Sequence, residues 1–205
     1  MGDNYFTTNK IKIQQMKNII LTLILCTIYQ AGIAQNYVPS IKNNTVLHYI
    51  CKLHGQTRTL TLTTKTGTDK LILDLDTRGV KSSIVTTAEA LKNGNELSFN
   101  QGEYAPVLNL KPTETFFMIS QSAYQDLLKN KQFIYNNTTY VLDENTATNN
   151  VDLEGKLLDT LHVVAQVDET EMWIVKNPIY PLICKITKNP LGINFTLVKI
   201  VEGEK

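Results

Sequence analysis

The chain has 205 residues, 42% hydrophobic and 19% charged, with 20 basic and 19 acidic side chains for a formal charge of +1. That composition belongs to a folded globular protein rather than a disordered one, and the length suits one domain with a sizeable core rather than two. A near-neutral chain with no basic block lacks the field that gathers nucleic acid, so no nucleic-acid partner is expected.

The first element is a leader. "MKNIILTLILCTIYQAGIAQ" starts at Met16, with Lys17, an apolar run from Ile19 to Ile28, then the small residues Gly32 and Ala34. This is the layout of a secretory signal peptide, with the cut expected between Ala34 and Gln35. The apolar run is about half of the ~20 residues that span a bilayer, so a cleaved signal is expected, with no membrane span afterwards. The polar stretch Met1 to Gln15 makes Met16 an alternative start. Cys26 follows Leu25 where lipid attachment needs a small residue, so no lipoprotein is expected. The expected organisation is a leader and signal peptide over 1–34 and one β-rich extracytoplasmic domain over 35–205, periplasmic or secreted. Cys51 and Cys184 remain in that domain. In an oxidising compartment they form either one disulfide, worth ~2–4 kcal/mol, or two separate buried thiols.

Period-two patterning dominates the domain. "TVLHYICKL" (45–53) and "TRTLTLTT" (57–64) flank a turn at "HGQ", and Leu60 and Leu62 face away from Thr57, Thr59, Thr61 and Thr63. "KLILDLD" (70–76) puts Leu71, Leu73 and Leu75 on one face and Asp74 and Asp76 on the other. After the turn at Gly79 comes "VKSSIVT". "TTAEALKNG" then carries helix signals: Thr86 and Glu89 as a capping box and Gly94 at the C-cap position. "ELSF" and "YAPVLNL" read as strands, the second an edge because of Pro106. In "SQSAYQDLLKN", Ser120 or Ser122 caps a second short helix. "QFIY-NN-TTYVLD" is a hairpin with two Asn residues suited to positive φ, and "ENTATNN" (144–150) is the best flexible loop. "DTLHVVAQV", "EMWIVKN", "LICKIT" and "INFTLVKIV" complete the series. Met172 and Ile174 against Trp173 and Val175 imply burial on both faces, for which the two helices supply one cover. The expected fold is mostly β: a curved antiparallel meander or half-barrel of about ten strands with two short helices.

Two stretches, "SQSAYQDLLKNKQFIYNNTTYVL" and "DTLHVV…EMWIVKNPIYPLICKI…NFTLVKI", resemble uncharacterised periplasmic proteins of Gram-negative bacteria. The resemblance implies a curved antiparallel sheet similar to the half-barrels of lipoprotein-carrier proteins. It implies no active site.

The residues offer few catalytic patterns. Asp76-Thr77-Arg78-Gly79 suggests the Asp-Thr-Gly loop of aspartic proteases, but Arg78 breaks the contiguity that brings two carboxylates onto one water, so a β-turn is expected. Asp74 and Asp76 share a strand face and are the best acidic pair for a carboxylate-based hydrolase, the alternative function. His48, Cys51 and His54 have zinc-like spacing. On a strand, however, the two histidines lie ~20 Å apart with Cys51 on the other face, so no metal is expected. His162 is expected on a polar strand face with Gln166 and Asp168. No nucleophile motif or phosphate loop is present, and no cofactor is expected. The Thr-x-Thr run at 57–63 occurs once and reads as an exposed strand face. Aromatic residues gather in the second half. A curved sheet that opens into an apolar groove would hold a lipid-like small molecule or an envelope protein, with Trp173, Phe117 and Tyr124 as contacts. The leading reading is therefore a non-enzymatic envelope protein that binds such a partner, with the hydrolase and a purely structural or assembly role as alternatives.

Overall fold

In the computed structural model, residues 37–99, 105–145 and 150–203 are described. The expected leader and signal peptide, and most of the loop expected at 144–150, lie outside these residues. Among the described residues no helix is long and apolar enough to cross a membrane.

The chain is mostly β, as its patterning requires. β1 (Val46–Leu53), β2 (Gln56–Thr66), β3 (Lys70–Thr77) and β4 (Val80–Thr87) form a meander, followed by α1 (Ala88–Asn93). Three short strands come next: β5 (Glu96–Leu97), β6 (Val107–Asn109) and β7 (Glu114–Thr115). Beyond them lie α2 (Gln121–Asn130), the hairpin of β8 (Gln132–Tyr135) and β9 (Thr138–Leu142), β10 (Asn150–Leu153), β11 (Lys156–Ala165), β12 (Glu171–Val175), β13 (Ile183–Thr187) and β14 (Ile193–Val201). Twelve strands make one large curved sheet that does not close into a barrel, in the order β6-β4-β3-β2-β1-β14-β13-β12-β11-β9-β8, with β10 on β11.

Two features depart from a plain antiparallel meander. The first and last strands pair directly, β1 against β14, and so join two meanders into one sheet. In addition, β6 lies parallel to β4, and β5 pairs in parallel with β7 in a separate two-stranded ribbon. The strand count is accordingly higher than the expected ten, because short pieces such as β7 and β10 carry no period-two signal.

The local chemistry explains most of the turns and caps. Thr77 pairs with Val80, so Arg78 and Gly79 form a two-residue hairpin with φ of 51° and 79°. Two positive φ values are what a type I′ turn demands. The expected β-turn is thus present, in a primed form. Asn136 and Asn137 take φ of 48° and 58° between β8 and β9, as expected of the Asn-Asn turn. Ser120 caps α2, accepting from the Ala123 amide at 3.3 Å.

The cap of α1 is Thr87 rather than Thr86. Its hydroxyl accepts from the Ala90 amide at 3.2 Å. Thr86 shares an inward strand face with Ser82 and Ile84 and is fully buried, so its side chain is committed to the core. Gly94 does follow α1, but at φ −56°. Its lack of a side chain is required by crowding: a Cβ there would sit 2.6 Å from the Ala90 carbonyl.

One core runs along the inner face of the sheet. Leu47, Tyr49 and Cys51 of β1, Leu60 and Leu62 of β2, and Leu71, Leu73 and Leu75 of β3 all bury there on alternate positions. In β12, Met172, Trp173, Ile174 and Val175 are all buried, as a strand covered on both faces must be.

Candidate functional site

Cross-strand partners project to the same side of a sheet, so the strand register defines rows of neighbours. One inner row runs Arg58, Cys51, Phe195, Ile186, Met172 and Val163 across β2, β1, β14, β13, β12 and β11. Five members are buried and apolar, and the row ends in an arginine. Arg58 is on this face because it shares its parity with Leu60 and Leu62.

At that end of the row an apolar slot opens, with a volume of about 60 Å³. The sheet contributes Cys51, Leu60, Leu75 and Phe195 to its lining; the segments Leu97–Phe99 and Phe116–Phe117 contribute the rest of its aromatic wall. The polar residues at the slot are Arg58, Thr77 and Ser98. The Thr77 hydroxyl donates to the Thr59 carbonyl at 3.0 Å. A cavity of ~150 Å³ is what takes benzene, so the slot as it stands suits the end of a narrow chain rather than a ring system.

Phe117 anchors the aromatic wall. Its ring centroid lies 4.4 Å from Tyr49, 4.3 Å from Phe195 and 4.7 Å from Phe116. Its backbone takes φ 54°, an uncommon conformation for a bulky residue. The Ile183 amide, which donates to the Phe117 carbonyl at 2.8 Å, and the bridge between Met118 and Leu182 hold it there. Such strain persists where the surroundings over-determine a conformation, and it concentrates at ligand clamps.

Of the three aromatic contacts expected from sequence, the structure brings Phe117 to the slot. Tyr124 is buried on α2, where burial and then the charge of Asp159 push its hydroxyl up. Trp173 occupies the opposite face of the sheet. Its ring stacks on His162 at 4.2 Å, and the Lys185 ammonium sits 4.1 Å from its centroid.

His162 is the centre of a polar cluster, and this corrects the plain polar strand face expected for it. It is 4% exposed, with Nδ1 3.0 Å from Asp143 Oδ2 and Nε2 3.2 Å from Glu171 Oε2. Glu171 also pairs with Lys188 at 2.6 Å. That lysine, then His162, outweighs burial and holds the Glu171 carboxyl below its ordinary range. Gln166 and Asp168 fall beyond the end of β11. The cluster is not legible in the sequence because its acids come from residues 143 and 171, distant along the chain.

Asp74 and Asp76 project from the outward face of β3. Asp74 pairs with Lys65 at 2.6 Å and accepts from the Ser83 hydroxyl at 2.7 Å. Burial raises its carboxyl, but Lys65 and Ser83 together outweigh this and hold it low. Asp76 is half-exposed, 3.9 Å from Lys81. Neither lines the slot, and a general acid would need the opposite shift. The arrangement offers two surface ion pairs.

Cys51 and Cys184 are both buried free thiols. Burial pushes Cys51 up to about 11 and Cys184 to about 12, the wrong direction for a nucleophile. Cys184 donates weakly to the Trp173 carbonyl at 3.3 Å. His48 approaches the Thr61 hydroxyl at 3.3 Å. Among the described residues no group of three or more His, Cys, Asp or Glu side chains is arranged to hold a metal ion.

No family model and no curated protein matches the sequence. Among solved structures, the crystal structure of MucB is similar with a TM-score of 0.40 and 14% identity, over 80% of this chain and 55% of that one. The chain therefore spans about half the length of that neighbour. At this distance the likeness carries neither fold nor function, and a functional reading has to rest on the side chains themselves.

Proposed function

We propose that this chain is a non-enzymatic, extracytoplasmic binding protein whose inner-face slot receives the end of a slender, lipid-like apolar chain. The observation that carries this reading is the slot between Leu60, Leu75, Phe117 and Phe195, an apolar opening at one end of the core. Interiors pack to near-crystalline density, so an apolar opening at the end of a core is a place where a ligand gains contacts the protein leaves unmade. Among the described residues the lining includes no carboxylate and no imidazole, and the Cys51 thiol is held protonated by burial, which favours binding over catalysis. The signal-peptide pattern over residues 16–34 supports an extracytoplasmic setting.

Native mass spectrometry of the full chain, expressed with its own leader and purified gently from a bacterial periplasm, tests this reading. A reproducible added mass that is lost on denaturation and identified as lipid-like is the expected result. Recovery from the cytoplasm with the leader intact would sink the compartment. A bare polypeptide mass that stays bare after incubation with single-chain amphiphiles would sink the ligand, and a stoichiometric envelope protein in its place would make the slot a partner-binding site.

A further inference from the structure

The chemistry of the ligand's head can be read from Arg58. An arginine keeps its charge, and its guanidinium offers five donors in a fixed fork. Among the described residues, Arg58 enters no ion pair. Its Nη2 donates to Gln56 Oε1 at 3.1 Å, while its Nε is buried without a hydrogen-bond partner. A buried donor with no acceptor is costly, and native proteins almost always satisfy one. Nor does geometry force the residue there: it holds an inward position in β2, in the parity of Leu60 and Leu62, where an apolar side chain would extend the row. Among the described residues no acidic side chain lines the slot to neutralise it.

We propose that Arg58 is the headgroup anchor of the slot, so that its occupant is a single-chain amphiphile with an anionic oxyanion head, a carboxylate or a phosphate. This rests on the slot being a ligand site. The chain enters among Leu60, Leu75, Phe117 and Phe195. The head stays at the rim, where it accepts from the unpartnered Nε and from a free guanidinium N–H. A planar fork and a two-oxygen acceptor match in geometry, and a charge-assisted pair of this kind is about twice as strong as a neutral hydrogen bond. The Ser98 hydroxyl flanks the same slot and suits a polar head better than a second acyl chain, whereas the Thr77 proton is already given to the Thr59 carbonyl. A neutral head would leave the guanidinium charge uncompensated, and a cationic head would be repelled by it.

The test is a titration of the full chain with dodecanoate, dodecyl phosphate and 1-dodecanol, each below its aggregation limit, by calorimetry. The chain length is common to all three, so the difference reports the head. The expected result is binding of at least one anion about tenfold or more tighter than the alcohol, the scale of one charge-assisted hydrogen bond. Whichever anion binds tighter identifies the head as carboxylate or phosphate. In Arg58→Gln the anion advantage falls to within about threefold, and Arg58→Lys retains part of it because charge survives without the fork. Ser98→Trp, which fills the slot from its covering segment, abolishes binding of all three.

The outcomes separate the two claims. If acid and alcohol bind equally and Ser98→Trp removes both, the slot reading stands and the assignment of Arg58 is overturned. If no amphiphile binds, or if Ser98→Trp changes nothing, both are overturned. Should Arg58→Gln fail to fold, the wild-type ratio and the Arg58→Lys variant still decide the matter.

Discussion

Two adjacent rows of side chains cross the same strands on opposite faces of the sheet. Each carries a cation near aromatic rings, but their polar atoms meet different fates. On the inner face the row runs from Arg58 through Cys51 and Phe195 towards Met172. On the opposite face it runs from Thr59 through Ile50, Thr196 and Lys185 to Trp173 and His162. In the second row both nitrogens of His162 face carboxylates, and Lys185 lies over the Trp173 ring. In the first, the Nε of Arg58 is buried with nothing to bond. A saturated polar network ties elements together, whereas an unsaturated buried donor beside an apolar opening can still take a ligand's acceptor. Burial and aromatic company alone do not distinguish the two; the count of donors against acceptors does.

That contrast can be broken at several points. The largest effect is expected in the inner row, where Phe195→Ala removes a ring packed on Tyr49 and Phe117. It should cost ~3–5 kcal/mol in urea unfolding. A cost below about 1 kcal/mol would mean that the slot end of the core is loosely packed and that its aromatic wall is not a fixed feature.

On the opposite face, His162→Ala leaves Asp143 and Glu171 turned towards a site that no longer donates. Both carboxylates keep some solvent contact, so the expected loss is about 2 kcal/mol rather than the larger penalty of a fully buried pair. An unchanged stability would show that the cluster is not a tie.

The same cluster makes stability depend on pH. Lys188 foremost, with His162, keeps the folded Glu171 carboxyl below its ordinary 4.5. The unfolded state therefore takes up protons first as the pH falls. The stabilisation is full above pH 4.5 and is lost as the pH drops through the lower folded value. Glu171→Gln should flatten the fall in stability between about pH 5 and pH 3, where Asp74 then supplies a similar dependence of its own. An identical slope in the variant would remove Glu171 from the account.

The thiols give a subtler contrast. With Cys51 at about 11 and Cys184 at about 12, neither should react appreciably with a disulfide reagent at about pH 8 while the protein is folded, and both should react after unfolding. Cys51 lines the slot, so a bound amphiphile should slow its residual alkylation and leave Cys184 unchanged. Equal slowing of both would point to global stabilisation instead of occupancy.

Much of this fold is written in local pattern. The alternation of Leu60 with Leu62, and of Leu71 with Leu75, sets the inner face. Asn136-Asn137 and Arg78-Gly79 mark hairpins because their backbones need positive φ. The cap of α1 differs by one residue from its expected place because two adjacent threonines carry the same chemistry, and only the inward parity of β4 decides between them. The pairing of β1 with β14 is not legible, since it joins residues some 150 positions apart and leaves no trace in either strand alone. The face that Trp173 takes is equally hidden: a strand buried on both sides has no polar alternation to orient it. Arg58 carries a signal that the catalytic and aromatic patterns do not touch, the parity it shares with Leu60 and Leu62. An arginine in register with core leucines calls for an explanation wherever it occurs.

The central claim is that Arg58 is retained for a ligand and not for the fold. The most direct measurement is therefore Arg58→Leu, followed by thermal unfolding and by dodecanoate and 1-dodecanol titration on one preparation. The account predicts a Tm equal to or above that of the wild type, because a buried unpaired donor is exchanged for an apolar side chain in an apolar row, together with loss of the preference for the anion. A lowered Tm with the anion preference intact would contradict it, and would make Arg58 a structural residue.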